Sequence, residues 1–540
     1  MTKYQNSSRR TSDSLSRRDV LRAGGLLLPA AAVAPALFAR VSRAATTGST
    51  FDYYISTSGS DSNPGTLASP WAITGINTHQ STYAGKRLGI LPGTYDVSVM
   101  MANCNIEEAI LQINGGPNSS TPTYIGTSNS TGQYQAGTAT LDCFGSVGQY
   151  GGGNNVFPYP IGQTDGGGNA GPQPPNLGNW ILDGLNISGF SRWGVTLADS
   201  GGGPAQIQNV QLLNLTLHDS LCTTTNTHPG PIMLYRVNNV LVSNCWLYNN
   251  KNTAADANHY AGILIFGISG PSTGVIIEKC TFQNSSCIYG AEDNSAVDNT
   301  IIRQCYFDMT LAGTNFNQPY AIQGFGKAQS GLTGCSFYNN IVKGGNLYDM
   351  GGTAPSSNGI AVYNNTWDRA GGAGYGNSDG GIRLEEASGK SKIFSCYNNL
   401  IYDNGATSIG SYGYVASNTD GFSVLDYNIY GTIANGYYTY GANGGSNVGA
   451  VSFAAWKSAT GGDAHSTTNS TNPFTNNGAN ALAYQISAGS PAYQTGRVGG
   501  VASGAVCNIG AWDGTVTQIG YSSTGVSILT PKSPVLGTVT

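Results

Sequence analysis

The chain has 540 residues, only 10% of them charged, and a formal net charge of −4, so it offers no basic face to a nucleic-acid backbone. Glycine occurs 77 times without a collagen period, and 39% of residues are apolar, which excludes a disordered chain. What remains is a large protein of many short strands joined by Gly, Asn and Ser turns.

The N-terminal stretch SRRDVLRAGG (Ser16–Gly25) pairs Arg17 with Arg18 and precedes the apolar run LLLPAAAVAPALFA. Small residues Ser42 and Ala44 follow, completing the pattern of a twin-arginine export signal over residues 1–44. The run is shorter than the ~20 residues a membrane span needs, and it contains two prolines. The expectation is export by the twin-arginine machinery to the periplasm or beyond, with no membrane span in the mature chain.

Residues 45–514 are expected to form one domain with an N-terminal cap and a C-terminal capping segment, followed by a tail over 515–540. Its opening, FDYYISTSGSDSNPGTLASPWAI (Phe51–Ile73), reads as a strand, a turn rich in Asp, Asn, Pro and Gly, and a capping segment. LGILPGTYDV (Leu88–Val97) begins the first coil. From residue 213 onward one short phrase recurs: LNLTLHDS, SNCWLYNN, EKCTFQNS, RQCYFDMT, TGCSFYNN, then NNTWDRA, NNLIYDN and YNIYGT. Its slot, the third residue of the first five phrases and the second of the last three, is expected at Leu215, Cys245, Cys280, Cys305, Cys335, Asn365, Asn399 and Asn428. Two residues on stands an apolar or aromatic side chain: Leu217, Leu247, Phe282, Phe307, Phe337, Trp367, Ile401 and Tyr430.

A period of about 30 residues without helical periodicity predicts an all-β solenoid, a right-handed parallel β-helix with three short strands per coil. Strands on successive coils stack about 4.8 Å apart. Four cysteines on successive rungs would spread over roughly 14 Å, too far to share one zinc ion. The slot also accepts leucine and asparagine, so its cysteines are read as small buried hydrophobes rather than as metal ligands or disulfide partners.

The opening motifs, together with WKSATGGDAHS (Trp456–Ser466), NPF (Asn472–Phe474), AGSPAY (Ala488–Tyr493) and CNIGAWDG (Cys507–Gly514), resemble the pectin-lyase-like β-helix family. GKRLGI at 85–90 departs from that pattern, since relatives commonly carry an acidic residue after the glycine. The resemblance implies a polysaccharide partner lying along the first strand of each coil. Those strands are expected in PIMLYRV, GILIFG, CIYGAED, YAIQGFG, NLYDMG, GIRLEEA and SIGSYG.

Taking the central Ile or Leu of each as inward, the outward set includes Met233, Tyr235, Leu264, Phe266, Tyr289, Gln323, Tyr348, Arg383 and Glu385. Aromatic faces beside a few polar groups suit a sugar chain, and Tyr235, Phe266, Tyr289, Gln323, Tyr348 and His228 are the candidate contacts. A strip covered by loops is the competing reading. In a uronate lyase Arg383 or Lys327 is the base and Glu292, Asp293 and Asp349 hold calcium. In a glycoside hydrolase Glu385 pairs with Glu292, Asp293 or Asp349. His259 is a further acid–base candidate.

Each has an ordinary alternative. Arg383 and Glu385 also make a same-face ion pair, GAEDNSAVDN also makes a solvated turn, and lone loop histidines are often incidental. The expected function is a monomeric, exported polysaccharide lyase. A hydrolase of the same fold, or a non-catalytic carbohydrate-binding or envelope protein, is the alternative.

Overall fold

In a computed structural model the described residues are 49–98, 100, 109–143, 159–164, 174–190, 192–199, 207–222, 230–252, 262–267, 270–283, 288–290, 297–309, 320–323, 332–344, 346–350, 360–368, 382–385, 394–402, 414–416, 422–431, 437–441, 445–475 and 480–523. The export-signal region lies outside them. Among them no helix is long and apolar enough to cross a membrane.

Short alternating strands cannot bury their apolar side chains alone, and here they do so by stacking coil on coil. Val210 and Leu212, Val240 and Val242, and Val275 and Ile277 are successive inward pairs, all fully buried. They pair in parallel, Val210 with Val240 and Val240 with Val275. Among the described residues this pairing recurs through three long sheets of 12, 14 and 12 strands, the first ending in the antiparallel pair Tyr437–Gly441 and Gly445–Val451. The chain visits them in fixed order: Gly230–Tyr235 in the first, Asn238–Ser243 in the second and Trp246–Tyr248 in the third. This is the right-handed parallel β-helix expected from the period.

The corner between second and third sheets explains the recurring phrase. One residue there takes a left-handed conformation: Asn214, Asn244, Lys279, Gln304, Asn339, Asn364, Asn398 or Tyr427, with φ between 52° and 56°. Asparagine tolerates that region, whereas Lys, Gln and Tyr carry a cost of about 1–2 kcal/mol. The next residue turns inward. These are Leu215, Cys245, Cys280, Cys305, Asn340, Asn365, Asn399 and Asn428, all buried.

The structure therefore corrects the expected slot on the fourth cysteine coil. Ser336–Tyr338 is a second-sheet strand, pairing with Ile301–Arg303, and the third-sheet strand is Ile341–Lys343. Asn340, not Cys335, fills the slot, and Val342, not Phe337, lies between Phe307 and Trp367 in the inward row. Cys335 belongs one corner earlier, where its Sγ lies 3.7 Å from Val297 O.

The asparagines form a continuous ladder. Cys305 N donates to Asn340 Oδ1, Asn340 N to Asn365 Oδ1, Asn365 N to Asn399 Oδ1 and Asn399 N to Asn428 Oδ1, at 2.9–3.2 Å. Each Nδ2 reaches a strand carbonyl, as from Asn365 to Phe337 O at 2.9 Å. On the cysteine rungs the Sγ atoms of Cys245, Cys280 and Cys305 face backbone carbonyls instead, and all three thiols are free. Burial pushes the Cys245 and Cys305 thiols well up, as befits packing groups.

Both ends are closed. At the start Trp71 stacks between Tyr53 and His79, and Tyr83 is wholly buried beside Ile76. In the first coil Arg87 lies over the rings of Phe51 and Tyr124. At the far end the helix Phe453–Thr460 is capped by Ser452, whose Oγ accepts from Ala455 N, and it buries Trp456. Asp463 then ends the ladder, accepting from Asn428 Nδ2, Tyr430 OH, Trp456 Nε1 and Ser466 Oγ.

The C-terminal segment does more than cap. It runs back along the second-to-third corner. Gly510 N donates to Asn398 O, Ala511 N to Thr366 Oγ1, Gly520 N to Gln304 O, Tyr521 N to Thr281 Oγ1 and Ser522 N to Asn244 Oδ1. Phe474, Tyr484, Trp512 and Ile519 cover Tyr306, Ile341, Leu400 and Ile429 in one apolar cluster. Residues 515–523 continue this course.

Candidate functional site

The first sheet collects the sequence-predicted residues into rows. Thr196 pairs with Met233, Met233 with Leu264, Leu264 with Tyr289, Tyr289 with Gln323, Gln323 with Tyr348 and Tyr348 with Arg383. These seven positions, from seven coils, form one continuous cross-strand row that continues to Val415. The parallel row two residues on holds Ala198, Tyr235 and Phe266, and further along Met350 and Glu385. Arg383 and Glu385 alternate with Ile382 and Leu384, so they share a parity, about 6.6 Å apart along the strand.

Inward parity upstream is fixed by Ile232, Leu234, Ile263 and Ile265, all fully buried. Met233 and Tyr235, on the other face, are half-buried. Leu264 is only 3% exposed and Thr196 not at all, so the row is covered at that end. The Thr196 hydroxyl has no hydrogen-bond partner.

Other candidates fall elsewhere. Asp349 occupies the alternate row, opposite Leu384, and so alternates with Tyr348 rather than joining it. Glu292 and Asp293 follow the strand Ile288–Gly290, three rungs from Ile382–Glu385, or about 14 Å along the axis. Those two carboxylates, Lys327, His228 and His259 lie outside the described residues. Among the described residues no three His, Cys, Asp or Glu side chains come together as a metal-binding group. On the rung after Ile382–Glu385 the first-sheet strand is Tyr414–Ala416, not the SIGSYG stretch, which also lies outside the described residues.

A second chemistry-bearing face was not anticipated from the sequence. The third sheet aligns His218, Tyr248, Gln283, Asp308, Lys343 and Asp368 in one row. His218 Nδ1 lies 2.7 Å from Asp219 Oδ2, and its ring stacks on Tyr248 at 4.8 Å. Lys343 Nζ is 3.5 Å from Asp308 Oδ2, and Tyr484 OH donates to Asp368 at 2.7 Å. The signal for this row is the residue that follows the inward side chain of each third-sheet strand, which can be read only once the slot is correctly placed.

No protein-family profile matches the chain, and no curated protein sequence matches it. Solved structures do resemble it in shape. Pectate lyase Pel9A is 14% identical, with a TM-score of 0.47, over 88% of this chain and 98% of its own. A rhamnogalacturonan lyase is 17% identical, with a TM-score of 0.46, over 68% of this chain and 86% of its own. A lacto-N-biosidase from Eubacterium ramulus is 12% identical, with a TM-score of 0.34, over 68% of this chain and 67% of its own. The three-sheet pairing, the left-handed corner and the asparagine ladder make this chain a right-handed parallel β-helix.

Proposed function

We propose that the protein is an exported enzyme that cleaves a uronate-containing polysaccharide by β-elimination along its first sheet. The observation that carries the reading is the row Tyr289–Gln323–Tyr348–Arg383, in which two tyrosines, a glutamine and an arginine hold successive cross-strand positions on four coils. At about 4.8 Å per rung it extends roughly 14 Å, the scale of a short run of sugar residues.

In this scheme Arg383 takes the C5 proton of the uronate. The C5–H electron pair becomes the C4–C5 double bond as the C4–O bond breaks, and the leaving glycosidic oxygen takes a proton from water. An arginine is protonated near neutrality, so the rate is expected to rise with pH. Tyr289, Gln323 and Tyr348 hold the chain, with Tyr235 and Phe266 extending the platform and His228 a further contact. Glu385 sits two residues from the base with the same parity. Lys327 and His259 are the alternative proton-transfer groups. Calcium, which would neutralise a uronate carboxylate, is assigned to Glu292 and Asp293, which follow the strand Ile288–Gly290 in the sequence, with Asp349 a weaker candidate because of its alternate parity.

The experiment is incubation of the mature protein with acidic and neutral polysaccharides, with and without chelator. Ultraviolet-absorbing unsaturated ends from an acidic polymer support the reading, and their loss on chelation supports calcium. New reducing ends without that absorbance point to hydrolysis. Retention on a polysaccharide column without cleavage points to a binding protein.

A further inference from the structure

A cleft of about 470 Å³ lies between the third sheet and the returning C-terminal segment. It falls within the roughly 300–1,000 Å³ of small-molecule sites. Its walls carry the rings of Trp246 and Tyr306 from the sheet and of Trp512 and Tyr521 from the segment. Among the described residues no charged side chain lines it. An ion entering there would lose water without gaining a counter-charge, which disfavours a charged ligand.

Polar groups are nonetheless present, and some are uncommitted. The Trp246 Nε1–H is buried without an acceptor. Gln283 also lines the cleft. Gln518 Nε2 is fixed by Asn244 Oδ1 and Gly520 O, both at 3.0 Å, which leaves its carbonyl oxygen to accept. A wholly apolar ligand would leave these groups unpaired.

The walls are also held in place. Tyr521 N donates to Thr281 Oγ1 at 2.8 Å, Trp512 Nε1 to Ala481 O at 3.0 Å, and the Tyr521 and Trp246 rings stack at 5.8 Å. A preformed cleft spends little binding energy on ordering itself.

We propose that this cleft is a carbohydrate site for a neutral sugar, separate from the first-sheet row. A neutral sugar ring presents C–H faces to aromatic rings and hydroxyls to amide and indole groups, which is the mixture found here. A uronate would bring a charge the cleft does not match. The cleft lies on the third sheet and the proposed elimination on the first, so each assignment stands or falls by itself.

The test titrates the full mature chain with xylohexaose, cellohexaose, mannohexaose and a galacturonate hexamer, following tryptophan fluorescence and binding heat. At least one neutral hexamer is expected to bind, with affinity reduced at least tenfold in Trp246→Ala and in Gln283→Ala. If Trp246→Ala fails to fold, Gln283→Ala decides, since its amide holds up no other part of the fold. Absence of binding by all three neutral hexamers at millimolar concentration overturns the proposal. So does neutral binding that neither substitution weakens, or substitution-sensitive binding of the galacturonate hexamer alone.

Discussion

At the scale of single residues, the corner between the second and third sheets sets the stability of the coil stack. Asn365 shows why. Its Oδ1 accepts from Asn340 N, and its Nδ2 donates to the carbonyls of Phe337 and Tyr363, all in a dry interior. Asn365→Ala would leave several of these groups unpaired, and we expect a loss of about 2–4 kcal/mol in denaturant unfolding. Cys280→Ala removes only a small packed group and should cost markedly less.

Asp183 offers a test with a sign. It accepts from Tyr124 OH, Tyr134 OH and Asn214 Nδ2 at 2.6–2.7 Å. Burial nonetheless outweighs these bonds and pushes its carboxyl above the usual range. A raised folded-state value means the unfolded chain gives up the proton first. The stability linked to this group is therefore complete below about pH 4 and declines as pH rises through the folded value. Relative to Asp183→Asn, the wild-type chain should lose unfolding free energy across that window. A difference that does not change with pH would contradict the assignment.

At the scale of elements, period and alternation make the coils legible in the amino-acid sequence itself. Inward Val, Ile and Leu, the corner and the first-sheet row all follow from them. The error at Cys335 has a physical origin. GCSFYNN carries a cysteine, an aromatic residue and two asparagines in the same order as SNCWLYNN, yet its strand is Ser336–Tyr338 and its corner is Asn339–Asn340. The asparagine pair before a β-branched strand was the better marker, because the first Asn takes the left-handed turn and the second the ladder.

The C-terminal segment was legible as a cap, but its return along the second-to-third corner was not. Its contacts join residues as far apart as Asn244 and Ser522, and many use backbone groups that carry no sequence signal. Truncation after His465 would strip cover from Tyr306, Ile341, Leu400 and Ile429. We expect a lower midpoint of thermal unfolding and increased binding of a hydrophobic dye. An unchanged midpoint in the truncated chain would show that the segment is not needed to cover that face.

At the scale of the whole molecule, the solenoid turns sequence-distant residues into lines. One line on the first sheet joins Tyr289, Gln323, Tyr348 and Arg383, and another on the third joins His218, Tyr248, Gln283 and Asp308. The first was foreseeable because the resemblance indicated which strand of each coil to align. The second depended on knowing where each corner falls. The cleft beside it also required the C-terminal segment, which arrives from the far end of the chain.

The proposed elimination places the chemistry on the first-sheet row, with Arg383 as base. The direct measurement is the rate at which wild-type and Arg383→Ala proteins generate unsaturated uronate ends from the acidic polymer the wild type cleaves, followed by ultraviolet absorbance across pH. The account predicts a wild-type rate that climbs with pH and falls by about 10²-fold or more in a folded Arg383→Ala variant. Equal rates in the two proteins, or no unsaturated ends from any uronate polymer, would contradict it.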